Sequence, residues 1–125
     1  MKIWILDPYH AGSHRDWSCG VQQVLEMAGH QVTMHTMPGR HWKWRMHAAA
    51  AHFASLMGGS EVPDVVVTTD MCDVAQLRGL MPVNWNNVRV ATMFHENQFY
   101  VLLVYWVESS LRSSRTFLLN VFQQE

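Results

Sequence analysis

Short, continuous apolar runs alternate along this chain with longer stretches of helical periodicity, and that alternation leaves few folds open. Ile3-Trp4-Ile5-Leu6 contains no polar residue, the pattern of a strand buried on both faces in a parallel sheet. Beyond a turn carrying Pro8 and Gly12, the residues Trp17, Val21, Val24, Leu25 and Ala28 fall at i, i+4, i+7, i+8 and i+11, one face of a helix. Ser13 and Asp16 form an S-x-x-D capping signal before it, and Gly29 ends it. Gln31 to Thr36 reads as a second strand. Between Pro38-Gly39 and Gly58-Gly59, the positions Met46, Ala49, Ala50, Phe53, Ala54 and Met57 make a second helical face. Val65-Val66-Val67-Thr68 is the most strand-like stretch, Asp70 with Asp73 caps a short helix through Val74, Leu77 and Leu80, and Val88 to Phe94 supplies a fourth strand. The order βαβαβαβ predicts an α/β fold, a doubly wound parallel sheet with right-handed crossovers and helices on both faces.

Composition narrows the function classes. A chain of 125 residues holds one core, because a folded domain takes about 100 to 150 residues. Nine Lys and Arg against ten Asp and Glu give a net charge of -1, and the charged fraction of 15% is below the roughly 25% of an average soluble domain. Long-range steering onto nucleic acid is therefore unsupported, and an apolar fraction of 49% excludes disordered and fibrous classes. Cys19 and Cys72 make neither a disulfide framework nor a metal-ligand pair, so a reducing compartment is expected. The first apolar run stops at Asp7, too short for a signal sequence. Val101 to Val107 is far shorter than the ~20 residues that span a bilayer. The expectation is a soluble, cytoplasmic protein with no membrane partner.

Ligands of an open parallel sheet bind beyond the carboxyl ends of its strands, which directs attention to Asp7 to His14, Met37 to Trp44, Thr69 to Met71 and His95 to Phe99. Of the eight histidines, His10, His14, His41 and His95 fall there. Histidine also favours loops in general. Gly12-Ser13-His14 opens a helix whose free amides attract an anion, although Gly12 alone reads equally as a turn and Ser13 as a cap. The loop lacks G-x-G-x-x-G, so dinucleotide binding is not indicated, and His10 with His14 lacks a third metal ligand. Arg40-His41-Trp42-Lys43-Trp44-Arg45 interleaves cations with rings, a mix that grips a phosphodiester strand and stacks bases. Either tryptophan taken singly reads equally as core packing. His95-Glu96-Asn97-Gln98 follows a buried strand directly. It is not H-E-x-x-H, because Phe99 stands at the second histidine position, and this excludes a zinc protease. A His-Glu pair here can position a hydroxyl or move a proton.

The chain resembles the N-terminal part of the tRNA-queuosine alpha-mannosyltransferase family, retaining glycosyltransferases of the GT-B type. The landmarks are Tyr9 with Gly12-Ser13-His14, Met37-Pro38 followed by Arg40 to Arg45, Thr69-Asp70-Met71-Cys72-Asp73 with Leu77-Arg78-Gly79-Leu80, and Phe94-His95-Glu96-Asn97-Gln98-Phe99. They cover residues 1 to about 100. The resemblance implies a Rossmann-like acceptor-side half of a two-domain enzyme, with mannose passing from GDP-mannose to the cyclopentenediol of queuosine in the anticodon of aspartate tRNA. It implies that Gly12, Ser13 and His14 face the donor diphosphate and that His95 lies beside the reacting sugar with Glu96 as the second catalytic candidate. Arg40, His41, Trp42, Lys43, Trp44, Arg45, Asn97 and Gln98 would face the acceptor or tRNA. No cofactor or metal is expected, since protein groups and helix ends neutralise the leaving diphosphate in such enzymes.

The partners implied are a nucleotide-sugar, a tRNA acceptor and a missing C-terminal nucleotide-binding domain. Residues 101–125 depart from the family's polar continuation; a truncated or frame-shifted reading of a longer gene fits both that departure and the length, and such a fragment would be inactive alone. The alternative is a stand-alone tRNA- or nucleotide-binding module without catalysis. A flavodoxin-like or response-regulator-like module ranks last, because the regulator needs an acidic cluster at the first strand and only Asp7 is there.

Overall fold

The structure is a computed structural model and describes residues 1–94. Its elements run β1 (Lys2–His10), α1 (Gly12–Met27), β2 (Gln31–Pro38), α2 (Trp42–Met57), β3 (Val65–Thr69), α3 (Val74–Leu80), a single 3-10 turn at Val83–Trp85, and β4 (Arg89–Met93). The strands form one sheet in the order β2-β1-β3-β4, every pairing parallel. The expected α/β architecture is the one observed.

Side-chain alternation along the strands builds a core on each face. Ile3, Ile5 and Val67 point to the face covered by α1, where Trp17, Val21 and Leu25 pack against them. Trp4, Leu6 and Val66 point to the other face, beneath Ala49, Ala50, Phe53 and Met57 of α2 and Leu77 of α3. Phe53 is fully buried, so truncating it to alanine would remove about 3–5 kcal/mol. Trp85 is also fully buried, edge-on to Trp4 with ring centroids 4.8 Å apart. The alanines of α2 let that helix approach the sheet closely, and the tryptophan pair fills the adjoining space beside α3.

Several boundaries and faces differ from the sequence-based expectation. β1 runs on to His10 because its pairing with β2 resumes past an irregularity after Asp7, with His10 opposite Pro38. The S-x-x-D cap does not form. Gly12 adopts φ +52, which turns the chain into α1 ahead of Ser13, so Ala11 is the N-cap and contributes no side-chain bond. Asp16 pairs with Arg15 at 3.3 Å instead. Val24 is exposed and Ala28 lies at the C-cap, so the buried stripe of α1 is narrower than the spacing suggests. Met46 and Leu80 are likewise exposed. Asp73 does cap α3, its Oδ1 accepting the Gln76 N–H at 2.9 Å, whereas Asp70 donates its own N–H to the Met93 carbonyl at 2.8 Å, closing the end of β3 onto β4.

Both cysteines are free, Cys19 exposed and Cys72 buried. Burial pushes the Cys72 thiol up to about 11, against a lowering hydrogen bond from Thr68, so it packs as an inert apolar group. Among the described residues no helix is long and apolar enough to cross a membrane.

His35 packs its ring against Trp4, centroids 4.1 Å apart, and its buried Nε2 has no partner among the described residues. Burial, with a smaller contribution from nearby His52, lowers its pKa from the ordinary 6.5. The folded state therefore favours the neutral ring. This contribution is fully present above pH 6.5 and is lost as pH falls towards the folded-state value, where the unfolded chain binds the proton first. Urea midpoints should fall between neutral pH and pH 5, and His35→Gln should flatten that dependence.

Candidate functional site at the carboxyl edge of the sheet

From β1 the chain winds outward to β2, crosses back to β3, and winds the opposite way to β4. The reversal lies between β1 and β3, and the crevice beyond their carboxyl ends is where doubly wound sheets hold ligands. Ala11 to His14, Gly39 to Arg45, and Thr69 to Met71 all lie at this edge.

The start of α1 is an anion-receptive end. Ala11 gives no side-chain cap and the first turn carries no acidic residue, so among the described residues no carboxylate at the helix start occupies its free amides. Gly12 and Ser13 are exposed. Gly12 in the left-handed region tolerates a side chain poorly. His14 stands edge-on to Tyr9, ring centroids 5.8 Å apart.

The second loop is locked against the first. A Cβ on Gly39 would lie 2.1 Å from the Ala11 Cβ and 3.1 Å from its backbone nitrogen, so only glycine permits this approach. His41 follows in the left-handed conformation, φ 56 and ψ 53, one that few non-glycine residues adopt and that clusters at functional positions. Trp42, Lys43 and Trp44 form the first turn of α2 rather than a loop. Trp42 is 52% exposed and Trp44 76%, which settles the choice between core packing and surface display in favour of display. Lys43 Nζ lies 5.5 Å from the Trp42 ring centroid, within cation–π range. Arg40 is exposed. Arg45 is committed to the loop itself, its Nε donating towards the carbonyls of Pro38 at 3.1 Å and Arg40 at 3.3 Å. His95, Glu96, Asn97 and Gln98 lie outside the described residues.

Asp7, Thr69 and Asp70, which the sequence places at this edge but to which it assigns no role in the site, complete it. Asp7 is fully buried and bonds to Ser18 of α1, to the Tyr9 N–H and to His10. Thr69 is fully buried, and neither its Oγ1 nor the buried Oδ1 of Asp70 has a hydrogen-bond partner among the described residues. The available signal was Asp7 itself, a lone carboxylate ending an apolar strand three residues before a histidine. No group of three or more His, Cys, Asp or Glu that could hold a metal occurs among the described residues.

With this geometry in place, comparison with known proteins is decisive for the family. The family model for the tRNA-queuosine alpha-mannosyltransferase N-terminal region matches residues 2–123. The chain belongs to this family. A relative from Drosophila melanogaster described as a tRNA-queuosine alpha-mannosyltransferase is 29% identical over 96 residues, 77% of this chain and 25% of that protein. The chain thus aligns with about a quarter of that relative's length. No solved structure matches significantly.

The loop lock has a measurable consequence. Gly39→Ala forces the two loops apart and should lower unfolding free energy by about 1–3 kcal/mol in urea titrations, whereas Gly58→Ala, where an added Cβ meets nothing within 4 Å, should change it far less.

Proposed function

We propose that this chain is the acceptor-side domain of a retaining mannosyltransferase acting on queuosine in the anticodon of aspartate tRNA, with GDP-mannose as donor. The observation that carries this is the display of Trp42 and Trp44, interleaved with Arg40, His41 and Lys43, beside the uncapped start of α1. An exposed indole costs apolar hydration that a buried one avoids, and two of them flanking a lysine form a platform for unstacked bases, each stacked base contributing about 1–3 kcal/mol. Phosphates of the tRNA meet Arg40 and Lys43, and the amides at Gly12 and Ser13 face the donor diphosphate. Arg45 serves by shaping the loop that carries the others.

In this scheme the bond from the mannosyl anomeric carbon to the β-phosphate oxygen breaks and GDP departs, the carbon bonds to a hydroxyl oxygen of the queuosine diol, and the hydroxyl proton passes to the departing phosphate. His95 stands beside the reacting sugar, and Glu96, Asn97 and Gln98 support it or touch the acceptor. A second, nucleotide-binding domain closes the cleft and orients the donor, which is where most of the rate arises in a reaction governed by positioning. The scheme calls for no metal or organic cofactor and places the protein in the cytoplasm.

The same aromatic platform supports a second reading, a tRNA-binding module without chemistry. Binding of this chain to queuosine-containing aspartate tRNA should weaken with added salt and fall about 5- to 100-fold on Trp42→Ala or Trp44→Ala, measured by fluorescence anisotropy. His41→Gly keeps the left-handed backbone and isolates the role of the ring. Transfer is tested by joining residues 1–100, which include His95 to Gln98, to the remainder of the Drosophila relative, adding GDP-mannose and modified tRNA, and weighing the base. A gain of one hexose supports the transferase; binding without any gain from a folded protein favours the module.

A further inference from the structure

Three donors converge on the fully buried carboxylate of Asp7. Ser18 Oγ lies 2.7 Å from Oδ2, the Tyr9 N–H 3.1 Å from Oδ1, and His10 Nδ1 2.7 Å from Oδ2. Ser18 Oγ also lies 3.0 Å from the Arg15 carbonyl oxygen, and its shorter contact is the one to Asp7. A carboxylate only accepts, so the hydrogen on the His10 contact belongs to Nδ1. In the neutral ring this leaves Nε2 as a lone-pair acceptor. Nε2 makes no hydrogen bond among the described residues, and 27% of the His10 side chain stays exposed.

Asp7 does not need this histidine for its own satisfaction, since Ser18 and the Tyr9 N–H already reach both of its oxygens. What the contact does is lock an imidazole in one tautomer at the carboxyl end of β1. Across the strand reversal, the last paired residues of β1 and β3 are Leu6 and Thr68. The next residues on the two strands are Asp7 and Thr69, and Thr69 is the buried hydroxyl whose Oγ1 lacks a partner among the described residues. A locked acceptor and an unsatisfied buried hydroxyl thus lie at the carboxyl ends of adjacent strands, and no contact among the described residues accounts for either.

We propose that His10 Nε2 accepts a hydrogen bond from an aliphatic hydroxyl of a ligand bound at the β1/β3 reversal, and that Asp7, anchored by Ser18, is the positioning residue that holds the ring in its Nδ1–H tautomer. The hydroxyl belongs to the donor mannose or to the queuosine diol, and in that respect the assignment rests on the transferase reading above.

The test uses the 125-residue chain labelled with 15N, following the histidine ring nitrogens at mildly alkaline pH. His10 should show a protonated Nδ1 and a bare Nε2, and Asp7→Asn should release that preference while a purely structural aspartate would leave it alone. If Asp7→Asn fails to fold, the wild-type ring and the titrations decide the matter. The Nε2 signal is followed with GDP-mannose against GDP and with queuosine nucleoside against guanosine. Movement with GDP-mannose beyond GDP assigns the donor sugar, and movement with queuosine beyond guanosine assigns the acceptor diol. His10→Phe should weaken binding of the responding compound about 2- to 10-fold. An Nε2–H tautomer in the wild type, or a signal that is unmoved or equally moved by all four compounds, overturns the proposal. Failure of the transferase reading looks different: no hexose transfer, with a ring that still responds.

Discussion

β1 is hydrogen-bonded along both edges, to β2 from Lys2 to His10 and to β3 from Ile3 to Leu6, and it is covered on both faces. A strand in that position cannot shift by one residue without turning its α1-facing side chains onto the α2 side, so its register sets the register of its neighbours. The carboxyl edge inherits this rigidity. Asp7 lies one residue beyond the last β1–β3 pair, where the double pairing gives out and the strand starts to bend, and the carboxylate ties that bend to α1 through Ser18. The carboxyl edge is therefore anchored to the central, doubly paired strand of the sheet rather than to a free loop.

The edge also shows where stability has yielded to surface chemistry. Burial of a carboxylate is unfavourable unless hydrogen bonds replace its water, and Asp7 meets that demand with the Ser18 hydroxyl on one oxygen and the Tyr9 N–H on the other. His41 holds a left-handed backbone, and Trp42 and Trp44 expose apolar rings. None of these choices improves the core. They cluster at the carboxyl ends of β1 and β2, while the opposite end of the sheet carries ordinary surface pairs such as Lys2 with Glu61. Gly39 joins the two groups of residues by allowing the second loop to rest on Ala11.

Much of the fold was legible because burial on two faces demands unbroken apolar runs. Ile3 to Leu6 and Val65 to Thr68 announce central strands for that reason, and Ala49, Ala50, Phe53 and Met57 announce a packed helix by their spacing. The failures were local. Ser13 looks like a cap, but the backbone freedom of Gly12 starts the helix earlier. Val24 fits the helical stripe but is exposed, because the part of α1 that meets the sheet is the narrower stripe of Trp17, Val21 and Leu25. Trp85 sits in a segment without periodicity, so nothing local distinguishes it from a surface residue, although it is fully buried against Trp4.

Sequence alone determined the βα order, the parallel sheet, the family resemblance and the placing of Gly12, Ser13, Arg40, Trp42 and Trp44 at one edge, because these depend on periodicity and on motifs contained within short segments. Tertiary structure decided which tryptophans are displayed and which are core, that Arg45 closes a loop, and that Asp7, Ser18 and His10 form one hydrogen-bonded unit. Ser18 lies eleven residues from Asp7, on a different element, and only the packing of α1 onto β1 brings the two within 2.7 Å. Hydrogen bonds of that kind have no periodic signature, since they depend on where two elements meet and not on what either one contains.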